Sequence, residues 1–396
     1  MNYYFGDSDY TIHVDDANGN DTNDGKSFAN AKKTIAGANG ALNAVPNGGI
    51  IIIWPGTYTE KVDIATAAKQ ISIVGTNRYK CKITQSANDT IVLNEGCTLQ
   101  NLTIEQTGNG KAVDGTSRHN CKFIDCSIFS TGIDALYCVH ARNIQVQRCY
   151  IKSAYDTLLV GDRYILENCI LVTTGLYTGT GRAVALGSSP QYRGVVRNSI
   201  LVAQPSFEND GPGASLYQTE RNLYCIYEGG KVSIRNCILV VEGYKYPFAN
   251  ANSYAKGNSF CIYNTKLTVS DCILFSRTDQ NQANTIAYGL YQCDGQMNNS
   301  NLEVIGTSAS YDFASPSSKT IYLVNTKYKS DQIDVNVTVN AVPAGIAFEK
   351  AAKSLINKAI QNKITGAIDY YDDDSQTILF THMPIDNESN ITRTPI

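Results

Sequence analysis

The chain has 396 residues, a net charge of −3 and only 17% charged residues. So weak a charge, with no basic stripe, excludes a nucleic-acid binder, and no apolar run reaches the length needed for membrane insertion. The twelve cysteines contain no CxxC pair, so they read as buried reduced thiols rather than a zinc site or a disulfide framework; no metal and no cofactor are expected.

Residues 1–49 read as an N-terminal cap segment. The opening Met1 to Asp7 lacks the basic and apolar regions of a secretory signal, so no export is expected. Thr11 to Val14 is a strand. Asp15 to Gly25 is a polar turn region. Its Asp15, Asp16, Asp21 and Asp24 could offer oxygen ligands to calcium, but the spacing is not that of an EF-hand, and Asx-type turns are the favoured reading. Ser27 to Leu42 reads as a short helix with Ala31, Thr34, Ile35 and Ala38 on one side. It would cover the open end of a sheet. Ile50 to Trp54 is a continuous apolar strand.

Residues 50–342 carry a repeated phrase. It reads Ile-Asp-Cys-Ser-Ile at 124–128, Leu-Glu-Asn-Cys-Ile-Leu at 166–171, Ile-Arg-Asn-Cys-Ile-Leu at 234–239 and Val-Ser-Asp-Cys-Ile-Leu at 269–274. Its central slot is Leu102, Cys126, Cys149, Cys169, Ser199, Cys237 and Cys272, with gaps of 24, 23, 20, 30, 38 and 35 residues. Alternation within each copy is strand-like, and a repeat of this length points to a solenoid. A second strand precedes each phrase by 11 or 12 residues, as Cys138 precedes Cys149 and Cys225 precedes Cys237. Tyr137, Tyr227 and Tyr263 sit beside it. The predicted fold is all-β, a right-handed parallel β-helix. The variable gaps leave as insertions at 173–194, 203–231, 240–260 and 275–296, rich in Gly, Asn, Ser and Tyr. Loops on a rigid scaffold carry function, and their tyrosines suit sugar contact; packing on the outside of the coils is the other reading.

Residues 343–396 form a third segment. Phe348, Ala351, Ala352, Leu355, Ile356, Ala359 and Ile360 recur at helical spacing, so 346–364 is predicted as an amphipathic helix, followed by a β-hairpin of Ala367 to Tyr371 and Thr377 to Thr381. This segment caps the last coil or docks another chain, with a homo-oligomer as one outcome.

The run His13-Val14-Asp15, Lys33-Thr34-Ile35 and Trp54-Pro55-Gly56-Thr57-Tyr58 resembles the opening of pectin-lyase-like β-helix proteins. Residues 105–202 resemble the pectin methylesterase family, which shows Gln-Ala-Val-Ala-Leu, Gln-Asp-Thr-Leu-Tyr-Val-His and Val-Asp-Phe-Ile-Phe-Gly on consecutive coils. This chain has Lys-Ala-Val-Asp-Gly at 111–115, Ile-Asp-Ala-Leu-Tyr-Cys-Val-His at 133–140 and Tyr-Asp-Thr-Leu-Leu-Val-Gly at 155–161. The resemblance implies that Asp134 and Asp156 are the acid/base and the nucleophile, a pairing that suits carboxylates one coil apart. Lys111 and Ile133 stand where the family has glutamines that hold the oxyanion, and Ser188 stands where it has an arginine. Absent donors cost rate steeply, so weak or no ester hydrolysis is expected. Candidate substrate-binding residues are Tyr137, Tyr177, Tyr192, Arg163 and Arg193. His140 reads as a corner residue.

The sequence favours a bacteriophage virion appendage, a tail or head fibre or spike made in the host cytoplasm. It would be structural or glycan-binding, with other virion proteins and host surface polysaccharide as partners. The alternative is a pectinesterase-like carbohydrate esterase, with a cytoplasmic location as the other placement.

Overall fold

The computed structural model describes residues 10–43, 48–65, 70–174, 181–186, 193–204, 222–227, 230–242, 258–278, 286–305, 309–328, 333–334, 336–342, 359–361, 368–371, 378–387 and 390–395. One coil shows the plan. Lys122–Ile124 lies in a first sheet, Ser127–Ser130 in a second and Leu136–Arg142 in a third. Gln145–Gln147 then returns to the first sheet and pairs in parallel with Lys122–Ile124. Repetition of this path gives parallel sheets of thirteen, ten and ten strands. The molecule is therefore the expected parallel β-helix. Alternation decides which side chains enter it: in Ile200–Ala203, Leu201 and Ala203 are buried while Ile200 stays exposed. The inward residues form one apolar cluster running from Ile12 to Leu323.

The repeated phrase makes the corner between the first and second sheets. A single residue there adopts the left-handed conformation: Asn101, Asp125, Arg148, Asn168, Asn198, Asn236, Asp271, Asn299 and Asn325. Asn and Asp enter this region at low cost because their short polar side chains bond locally. Here they also bond to each other along the helix. The Asn236 amide donates to Asn198 at 3.0 Å and the Asn325 amide to Asn299 at 2.9 Å. Arg148 makes the corresponding link as a two-pronged pair to Asp125, at 2.7 and 2.8 Å.

The slot after this corner is a hydrogen-bonding position. The Cys149 thiol accepts the Cys126 N–H at 3.5 Å and donates to the Gln147 carbonyl at 3.3 Å. Ser199 makes the same two bonds, from the Cys169 N–H at 3.1 Å and to the Arg197 carbonyl at 2.8 Å. The thiols are thus more than the small apolar fillers expected from composition. All twelve are buried and unbridged. Burial pushes Cys97, Cys138 and Cys261 well above the ordinary thiol range.

At the N-terminal end a helix, α1 (Ile35–Asn43), buries Ile35 and Ala38 against the core. It starts later than the expected Ser27, because Phe28–Asn30 is a separate tight turn. The Glu60 carboxylate caps it by accepting the N–H groups of Ile35 and Ala36, both at 2.9 Å. Asp15 and Asp24 make Asx turns, accepting the N–H groups of Ala17 and Lys26 at 3.0 Å each, whereas Asp21 reaches across the segment to those of Lys33 and Thr34 at 3.0 and 2.9 Å.

At the other end, Ala359–Gln361, Ile368–Tyr371, Ile378–Asn387 and Asn390–Pro395 form an antiparallel sheet. The expected hairpin is its central pair. The expected helix over 346–364 is corrected at its end. Residues 343–358 lie outside the described residues, and Ala359–Gln361 is a strand paired with Ile368–Tyr371. Three residues alternate as readily as they turn, and the neighbouring strand settles the choice. The expected insertions are also shorter than read. Gly181–Leu186, Leu223–Tyr227, Ser259–Tyr263 and Ile286–Tyr291 are strands of the third sheet lying inside or at the edge of those ranges.

Candidate active site on the third sheet

Each strand of the third sheet begins just past the corner from which the insertions leave. The strand register links Asp156, Arg182, Tyr224, Phe260, Tyr288 and Tyr311 as one column across six coils. Backbone bonds from Ala112 to Asp134 and from Ala135 to Asp156, both 3.1 Å, extend it back to Lys111 and Asp134. A second column stands three residues further along each strand: Asp114, Tyr137, Leu159, Ala185, Tyr227, Tyr263 and Tyr291. Among the described side chains, neither column belongs to the core cluster, which takes Leu136, Leu158, Ile226 and Ile262 from between them. Where rings occupy both columns they touch, as Tyr224 and Tyr227 do at 4.6 Å between centroids. The ring-bearing rungs of the two columns therefore lie on one side of the sheet, outside the core cluster.

The two candidate residues are neighbours on this sheet. Asp134 accepts the backbone N–H of Asp156 at 3.3 Å. Asp156 is only 3% exposed and Asp134 is half-buried. The contact aims one carboxylate at the strand that carries the other. One coil earlier, the Lys111 ammonium sits 3.7 Å from the centre of the Tyr137 ring and 3.5 Å from the Asp114 carboxylate. Its own N–H is anchored by Asp89 at 2.8 Å. A partly desolvated cation over a ring is worth about 0.5–2 kcal/mol, so this arrangement holds the ammonium in place. Lys111 and Arg182 occupy the rungs before and after the carboxylate pair. Sequence reading treated Lys111 only as a lost glutamine, because the charge of the substitute shows its use only once the column is known.

The other candidates divide. Tyr137 is on this face, under Lys111. Tyr177 and Tyr192 lie outside the described residues. Arg163 and Arg193 are not brought to the pair. Arg163 is a left-handed corner residue, φ 58°, whose guanidinium meets Asp162 at 3.4 Å. Arg193 belongs to the first sheet and donates its backbone N–H to Asp162 at 3.1 Å. Asp162 is six extended residues from Asp156, roughly 20 Å. His140 is an exposed corner residue with φ 59°. Sequence reading saw tyrosines beside this strand at Tyr137, Tyr227 and Tyr263. Tyr291 and Phe260 are not legible there, and Tyr288 reads as an insertion residue, because the insertions make their spacing irregular.

No family model matches the chain. One curated relative, the probable pectinesterase/pectinesterase inhibitor 58 of Arabidopsis thaliana, is 27% identical over 199 residues, covering 44% of this chain and 34% of its own length. The chain thus spans about a third of the length of that relative. Among solved structures, the chain is similar to pectin methylesterase from carrot, with TM-score 0.42 and 17% identity over 66% of this chain and 84% of that one. It is also similar to pectate lyase Pel9A, with TM-score 0.44 and 14% identity over 87% and 85%. Pectin methylesterase PemA from Erwinia chrysanthemi gives TM-score 0.34 and 15% identity over 72% and 89%. In architecture the chain is a parallel β-helix.

Proposed function

We infer that this is a carbohydrate-active β-helix protein that hydrolyses esters on a polysaccharide. The observation that carries the reading is the bond from the Asp156 backbone N–H to the Asp134 carboxylate, which sets two carboxylate-bearing residues at one register position of adjacent coils. The resemblance gives each its role. The Asp156 carboxylate attacks the ester carbonyl, and the alcohol leaves with a proton from Asp134. Asp134, now ionised, takes a proton from water, whose oxygen attacks the acyl group and frees Asp156. This is covalent catalysis with one residue serving as acid and then base. The ammonium of Lys111 has three N–H donors, more than its contacts with Asp114 and Tyr137 use, and can serve the oxyanion in place of the family's amides. The expectation of lost hydrolysis rested on those absent amides, and a cation on the neighbouring rung weakens it. The curated relative is by name a pectinesterase, which favours this reading over the virion appendage.

The test is a release assay on methyl- and acetyl-esterified polysaccharides. Turnover by the native chain should fall by about 10³-fold or more in Asp156→Asn and Asp134→Asn, as expected for groups acting on the reacting atoms. A native chain without turnover on any ester overturns the reading.

A further inference from the structure

The second sheet carries an outward face that the candidate active site does not use. The residue after the slot of the repeated phrase is not buried on six consecutive coils: Tyr150, Ile170, Ile200, Ile238, Ile273 and Asn301. The strand register links these six as one column. Its four isoleucines are between 37% and 49% exposed. Two residues further along each strand a second column reads Lys152, Val172, Val202, Val240, Phe275 and Glu303. Four coils thus present an apolar pair to the outside, and the coils before and after them end the second column with an exposed lysine and an exposed glutamate.

The fold does not require this apolar face. Strand preference favours β-branched residues, but threonine meets it equally, and the first column holds Thr57, Lys82 and Thr103 on earlier coils. On the first sheet the exposed positions of these same coils include Arg193 with Arg197, Lys231 with Arg235, and Lys266. A contiguous exposed apolar patch with a polar rim marks an interaction surface. Lys152 and Glu303 are five rungs apart, about 24 Å at the spacing of parallel strands, too far to meet within one chain. That length is close to the side of a standard interface patch of roughly 800 Å² per partner.

We propose that this face binds a second copy of the chain, with the two β-helices antiparallel and a two-fold axis between the Ile200 and Ile238 coils. The rotation sets Ile200 on Ile238 of the second copy, Ile170 on Ile273, the small Val172 on the large Phe275, and Lys152 against Glu303. Each contact is made twice, as a two-fold interface demands. The end charges select the direction: antiparallel copies bring lysine to glutamate at both ends, whereas parallel copies leave each charge level with its own kind. The proposal is independent of any hydrolysis. Sedimentation velocity of the full chain over a concentration series tests it, and any contact made by residues 343–396 is common to all variants. The native chain should self-associate reversibly. Lys152→Glu alone and Glu303→Lys alone should each raise the dissociation constant by about tenfold or more, since like charges then face each other. The double variant, K152E with E303K, should return close to the native value. Ile200→Lys with Ile238→Lys should keep the native circular dichroism, because Lys82 holds the same column, yet weaken association by about a hundredfold or more. A native chain that is monomeric throughout overturns the proposal. So does a double charge variant as weak as the single ones, or association that the lysine pair leaves unmoved.

Discussion

Cys149 shows what one residue does here. Its thiol closes a link between two coils, taking an N–H from the coil before and giving its own hydrogen to a carbonyl two residues back. Serine does this at 199 and 300. Cys149→Ser should therefore keep most of the stability, whereas Cys149→Ala leaves the buried Cys126 N–H unpaired at a cost of about 1–3 kcal/mol. Denaturant midpoints of the two variants check the order, and a serine variant weaker than alanine would refute it. The slot was legible in the sequence as a position, since Cys, Ser and Leu recur there. Its bonding was not, because the partner is one coil away and the coil length varies from 20 to 38 residues. The same holds at the site. Asp134 and Asp156 were readable as neighbours because 22 residues make one short coil. Arg163 and Arg193 lie at the opposite corner because the strand runs on from Asp156 to Asp162, where Arg163 turns the chain and Arg193 of the first sheet meets it.

Among the elements, α1 is tied to the solenoid through Glu60, whose carboxylate accepts two N–H groups at the helix start. Burial pushes this carboxyl above its ordinary value of 4.5, although the N–H groups of Ile35 and Ala36 pull the other way. A carboxyl raised in the folded state favours folding most while both folded and unfolded forms are protonated. That contribution is lost as pH rises through the folded value. The stability of the native chain relative to Glu60→Gln should therefore be greatest at acid pH and shrink as pH climbs above 4.5. Urea titrations across that range measure it, and a gap that widens with pH would contradict the linkage. The helix itself was legible from Ile35 and Ala38. Its first turns were overread because Phe28–Asn30 shares the same composition. At the far end, residues 359–361 were read as helix because a strand of three residues has too short a pattern to declare itself without its partner.

On the scale of the whole molecule, the coils and the C-terminal sheet follow different rules. The coils add strands in parallel up to Val337–Val342, while the four strands from Ala359 to Pro395 pair antiparallel among themselves. A chain ending at Val342 should keep its β-rich circular dichroism and its unfolding midpoint but change its assembly state. Light scattering on a sizing column decides this, and an unchanged mass per particle, scaled for the shorter chain, would sink the idea that residues 343–396 join copies.

The longest insertions leave from the corner between the second and third sheets, after Thr173, Ala203, Glu242 and Arg277, and rejoin the fold at Gly181, Leu223, Ser259 and Ile286. Each returns to the same register position that the coil below had reached. Their lengths are therefore invisible to the ladder of backbone bonds. This gives descendants of the gene two independent ways to vary. Lengthening or rewriting an insertion changes the chain between two described strands without moving any rung. Duplicating a whole coil adds one rung to the columns without touching the other insertions. Selection can thus tune what is recognised and how long a stretch is recognised as separate traits, because in a solenoid each coil is stabilised mainly by its immediate neighbours.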